Sequence, residues 1–158
     1  MPQTDIKSND YMNNGITVEQ SKLRIYNDIV RPDYTPDAIS SLKADEVLVF
    51  GSNLQGCHGG GAARAAINKF GAIWGQGVGL QGQSYAIPTM QGGVETIKPY
   101  VDQFISFAKE HTELFFYVTR IGCGIAGFMD DEIAPLFKDA VNISNVCLPE
   151  TFVRILNA

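Results

Sequence analysis

Positive charge is in short supply in this sequence. Over 158 residues, 12 Lys and Arg face 17 Asp and Glu, the net charge is -5, and no basic run occurs. Binding a polyanion needs a positive footprint, so nucleic acid is not expected as the main partner. Cysteine is scarce: Cys57, Cys123 and Cys147 form no CxxC pair. An odd count without regular spacing argues against a disulfide framework or a zinc site, and for reduced thiols in a cytoplasmic protein. Long apolar runs are missing too. None approaches the roughly 20 residues that span a bilayer, and the opening MPQTDIKSND has neither the basic start nor the apolar stretch of a signal peptide. The expectation is a soluble cytoplasmic protein with no membrane partner, no metal and no cofactor.

What is present is an apolar fraction of 45%, enough for the core of one domain. Residues 1–16, rich in Asn and Asp, read as a flexible tail, and 17–158 as a single α/β domain. Thr17 and Gln20 match a capping box, and Leu23, Ile25, Tyr26, Ile29 and Val30 fit a helix slightly better than a strand. Thr35-Pro36-Asp37 offers an N-cap, a first-turn proline and a first-turn acid, which predicts a short helix before a strand over Glu46 to Phe50. That strand is apolar on both faces, as in a sheet covered on both sides. A helix from Ala62 to Phe70, a strand from Ser84 to Thr89 and a helix from about Ile97 or Lys98 to Glu110 follow. A strand from Leu114 to Ile121, a helix from Asp130 to Phe137 or Lys138 and a strand from Asn145 to Leu148 complete the alternation. Such alternation predicts a mostly parallel sheet with crossover helices, a three-layer α/β/α sandwich. Between Gly71 and Gln83, repeated glycines exclude a helix while Ile73, Trp74, Val78 and Leu80 are too apolar for a linker, so an ordered loop or short strand pieces are expected.

Two strands run into glycine loops. Val47 to Phe50 leads through Gly51-Ser52-Asn53 to Gly59-Gly60-Gly61 at a helix start, and LFFYVTRI leads into Gly122-Cys123-Gly124-Ile125-Ala126-Gly127. Glycine lets the backbone approach a ligand closely, and the first N–H groups of a helix favour a phosphate. In open parallel sheets ligands bind outside the carboxyl ends of the strands at a switch in strand order, so neighbouring strands would make the loops two walls of one cleft. The alternative is that both loops are only tight turns. The triphosphatase loop is excluded, because Gly61 is followed by Ala62-Ala63 and not by Lys with Ser or Thr. The dinucleotide fingerprint fails as well: Gly122 to Gly127 matches GxGxxG but is followed by Phe128-Met129-Asp130 instead of an immediate helix.

On these motifs, over about residues 45–148, the chain resembles the macrodomain superfamily, the α/β/α modules that bind ADP-ribose and related nucleotides. The resemblance implies that Asn53 hydrogen-bonds the distal ribose, and that Gly59, Gly60 and Gly61 approach that ribose and the diphosphate. Gly122, Cys123, Gly124, Ile125, Ala126 and Gly127 would give N–H groups to the diphosphate, with Cys123 where a Thr is usual. Phe128 would lie against the distal ribose, and Asp37 is the nearest match to an adenine-reading Asp. With Gly51, Ser52 and His58 beside them, these form the candidate ligand-binding set. The implied partner is an ADP-ribose-like nucleotide or an ADP-ribosylated macromolecule. Hydrolytic members often carry an acid just after the glycine run, where Ala63 stands here beside Arg64, so binding is favoured over hydrolysis. Hydrolysis through a water held by Asn53 stays open, as does a structural or partner-binding domain that has lost the ligand.

The remaining candidates are weaker. Cys57 beside His58 suggests a thiolate–imidazole pair, though adjacent side chains seldom meet. Cys123 at a phosphate loop would have its pKa lowered by N–H dipoles, unless it is only a small loop residue. His58 reads as a loop anchor or a ligand contact, and His111 as a cap of helix carbonyls. Asp130, Asp131 and Glu132 suit a helix's first turn. Gln76, Gln81, Gln83 and Tyr85 either line the cleft or satisfy the loop backbone.

Overall fold

The computed structural model of the protein describes residues 23–158; the capping box expected at Thr17 and Gln20 lies outside them. The chain divides after Tyr34 into two compact units. The described part of the first is an antiparallel hairpin of β1 (Leu23–Tyr26) and β2 (Ile29–Pro32), in register Tyr26↔Ile29. This corrects the helix expected over these residues. Asn27 and Asp28 adopt φ of 54° and 63°, the left-handed pair that a two-residue hairpin turn demands and that Asn and Asp tolerate best.

The second unit, Thr35–Ala158, is built on a five-stranded mixed sheet in the order β4-β5-β3-β6-β7. The strands are β3 (Glu46–Ser52), β4 (Gly79–Gln81), β5 (Ser84–Pro88), β6 (Phe115–Val118) and β7 (Val146–Cys147). All pairs are parallel except β4 with β5, an antiparallel hairpin at one edge. The helices are α1 (Gly61–Lys69), α2 (Val94–Glu110), α3 (Asp130–Ile133) and α4 (Glu150–Leu156), with a 3-10 helix over Ala134–Ala140.

β3 is buried on both faces, and its alternating side chains belong to two separate cores. Leu48 and Phe50 pack with Ala86 of β5 and with Ala63, Ala66 and Phe70 around α1. Val47 and Val49 pack with Tyr85, Ile87, Phe116 and Val118, under Ile97, Val101, Phe104 and Ala108 of α2 and Phe137 and Phe152 near the carboxyl end of the chain. Topology explains the division. The path β3-α1-β5 steps one way across the sheet and β5-α2-β6 steps back past β3, so right-handed crossovers put α1 and α2 on opposite faces.

Several boundaries differ from the sequence expectation. No helix forms at Thr35-Pro36-Asp37. The Thr35 hydroxyl donates instead to the Cys147 carbonyl at 3.0 Å and its N–H to that of Leu148 at 2.9 Å, so the side chain expected to cap a helix extends the sheet edge. α2 begins at Val94, ahead of Pro99, with Gly93 as N-cap. The helix expected from Asp130 changes to 3-10 geometry at Ala134, where Pro135 lacks the N–H for an i→i−4 bond. α4, not expected, buries Phe152.

Candidate functional site

β3 and β6 are hydrogen-bonded neighbours. The chain leaves β3 toward β5 and leaves β6 toward β7, so the gap between their carboxyl ends is the topological switch point. Both glycine loops start there. A Cβ built on Gly51 would stand 3.4 Å from the Gly122 nitrogen, and one on Gly60 would stand 3.4 Å from Cδ1 of Ile125. The loops therefore run side by side, and Ile125, 81% exposed, reaches across to the first.

The first loop is fastened from behind. Asn53 closes it on itself: its Nδ2 donates to the Cys57 carbonyl at 3.1 Å and its Oδ1 accepts the Cys57 N–H at 2.9 Å. The Ser52 hydroxyl turns away from the cleft to donate to the Gly77 carbonyl at 2.6 Å. Residues 71–83 press against the loop backbone to backbone; a Cβ on Gly77 would run into the Asn53 and Leu54 carbonyls, so only glycine permits the approach. Gln81 locks this layer. Its Nε2 donates to the Gln76 and Gly79 carbonyls, while its Oε1 accepts the Ile73 N–H at 2.7 Å and faces His58 Nε2 at 3.2 Å. With the amide so oriented, His58 Nε2 carries the proton, and Nδ1 is a buried acceptor without a partner among the described residues. His58 is 1% exposed and packs against the rings of Phe50 and Trp74. Gln76 covers the outer edge of β4 by donating to the Val78 and Leu80 carbonyls, and Gln83 donates to Lys43 and Glu46 carbonyls. These glutamines satisfy backbone; they do not line the cleft.

The two adjoining loops leave backbone unpaired among the described residues. α1 starts with no side-chain cap and no acid in its first turn, leaving the N–H groups of Gly61, Ala62 and Ala63 without acceptors among the described residues. In the second loop, Gly127 N–H bonds the Gly124 carbonyl and Phe128 N–H the Gly122 carbonyl, while those of Gly124, Ile125 and Ala126 have no acceptor among the described residues. Gly122 is buried at φ 74° against Ile133, which only glycine fits easily. Phe128 is half-buried and packs under this loop on the core.

An ion pair brackets the second loop. Arg120 donates through Nε and Nη2 to the two carboxylate oxygens of Asp130, at 3.0 and 2.6 Å. This fork holds the Asp130 carboxyl down to about 2. The Cys123 thiol behaves opposite to expectation: burial, and then the adjacent Asp130 charge, push it up to about 11. Desolvation and a neighbouring anion outweigh the N–H dipoles, so Cys123 is an unactivated loop thiol. Cys57 is exposed and Cys147 buried, and none of the three forms a disulfide. Neither Arg120 nor Asp130 was assigned to the site from sequence, although they flank the glycine run two residues before it and three after it. Asp37, the adenine candidate, lies ahead of β3 in irregular backbone.

A second depression of about 350 Å³ lies elsewhere, lined by Leu80, Tyr85, Gln103, Ser106, Phe107 and Glu110. No glycine-loop residue borders it. No helix among the described residues is long and apolar enough to cross a membrane. No family model, curated protein or solved structure matches the chain.

Proposed function

We propose that Thr35–Ala158 is a three-layer α/β/α domain of macrodomain type that binds ADP-ribose or a related nucleotide diphosphate between its glycine loops. One observation carries this reading: two sets of N–H groups that have no acceptor among the described residues, on Gly61 to Ala63 and on Gly124 to Ala126, lie on adjoining loops at the switch point. A single set suits one phosphate, and two adjoining sets suit a diphosphate. Exposed Leu54 and Trp74 on one side and Ile125 and Met129 on the other supply apolar surface for a sugar and a base. An ADP-ribosylated macromolecule would present the same group.

Binding is favoured over hydrolysis. The Asn53 amide already bonds Cys57 through both of its polar atoms, which leaves only one N–H and one lone pair of it for a water. Ala63, where hydrolytic members of the family often carry an acid, is buried against the sheet.

Calorimetry with ADP-ribose, AMP and pyrophosphate tests the reading. Saturable binding of ADP-ribose, with ADP-ribosylated protein left intact on incubation, is the expected result. Binding of none of the three would leave a structural or partner-binding domain, and release of the modification would restore the hydrolase.

A further inference from the structure

The second loop carries an unexplained anion. Asp130 stands at the edge of a site read as anion-binding, with its carboxylate beside the Cys123 thiol inside the loop itself. A bare carboxylate there would repel a phosphate and oppose the field of the N–H groups of Gly124, Ile125 and Ala126. The structure does not leave it bare. Arg120, the second residue before Gly122, reaches over the loop to Asp130, the third residue after Gly127, and meets both oxygens with a two-pronged fork. The carboxylate side chain is 17% exposed and the guanidinium 59% exposed, so the cation covers the acid on its solvent side.

Taking the ligand reading above as its basis, we propose that Arg120 is a positioning residue for the anion loop: it masks the charge of Asp130 and holds both ends of residues 122–127 in register. An exposed ion pair contributes little to overall stability, and α3 already has its own cap, the Met129 N–H bonded to Glu132 Oε1 at 2.8 Å. The masking role therefore predicts an effect on the loop's field beside any effect on stability.

A charge cycle distinguishes this from a purely structural fork. ADP-ribose is titrated into the wild type, Arg120→Gln, Asp130→Asn and the double variant. Arg120→Gln, which unmasks the acid, weakens binding by about fivefold, the effect of one unit charge a few ångströms away through water. Asp130→Asn tightens it, and the double variant returns close to the wild type. Equal affinities in all four, or equal weakening by both single variants with the double no better, would overturn the proposal. A second readout needs no ligand: the rate of Cys123 alkylation near pH 9 in a Cys57→Ser background. Arg120→Gln slows it and Asp130→Asn accelerates it. The other charged group facing that thiol is Glu132, constant throughout. Alkylation rates unmoved by either substitution would overturn the proposal even where no ligand binds, whereas shifted rates without ADP-ribose binding would sustain the charge mask and refute only the ligand.

Discussion

Replacing Gly60 by Asp separates stability from binding, because one carboxylate helps the helix and hinders an anion. Gly60 is the N-cap of α1, at φ −152° and ψ 167°, an extended conformation open to any residue. An added Cβ meets only the flexible Cδ1 of Ile125 at 3.4 Å. Asp at this position accepts the N–H of Ala62 or Ala63, which is worth a few tenths of a kcal/mol over glycine, and its charge at the helix start adds about 0.3–1 kcal/mol. Thermal denaturation is expected to shift upward by about 1–4 °C for a chain of this size. The same carboxylate occupies a donor that the ligand would use and repels it. Loss of one charge-assisted hydrogen bond, about 1.5–3 kcal/mol, weakens ADP-ribose binding by roughly 10- to 100-fold in calorimetry. Gly60→Ser, a neutral cap, should retain most of the affinity. A Gly60→Asp protein that is stabilised yet binds like the wild type would remove α1 from the site.

Other perturbations follow from the same geometry. Gly77→Ala forces a Cβ into the Asn53 and Leu54 carbonyls and should cost about 3 kcal/mol or more in denaturant unfolding; a stable variant would mean that residues 71–83 do not support the loop. Asn145→Ala removes an Nδ2 that serves the carbonyls of Ala108, His111 and Leu114, and a loss of about 1–3 kcal/mol is expected in the same assay. Asp130 titrates in the fold near 2, below its ordinary 3.8, so its stabilisation is complete above about pH 5 and is lost as pH falls toward 2. Discounted for the exposure of Arg120, the loss is about 1 kcal/mol, and it should be missing from Asp130→Asn in acid melts. Alkylation at pH 8 should modify exposed Cys57 first and Cys123, with its pKa pushed up to about 11, slowly; rapid labelling of Cys123 would contradict the charge assignment.

The central strands were legible because they are short, buried along most of their length and followed by glycine or proline turns. β3, β5 and β6 appear where the β-type runs predict them, and the glycine loops follow the strands they were assigned to. The hairpin at Leu23–Pro32 was misread as helix because Leu23, Ile25, Tyr26, Ile29 and Val30 suit either period. Its deciding signal was the Asn27-Asp28 pair, a turn signature that hydrophobic spacing does not weigh. Thr35 failed as a cap because its hydroxyl was needed at the sheet, a long-range bond invisible to local pattern. Asn53 and His58 show the limit at the site itself. Their chemistry suits a ligand, and only the fold shows that Asn53 also bonds Cys57 and His58 also meets Gln81.

The most direct measurement is the amide NMR spectrum of labelled protein titrated with ADP-ribose. Saturable shifts at Gly61, Ala62 and Ala63 together with Gly124, Ile125 and Ala126 are the predicted result. Shifts confined to the depression beside Tyr85 and Phe107, or none at all, would contradict a diphosphate site between the glycine loops.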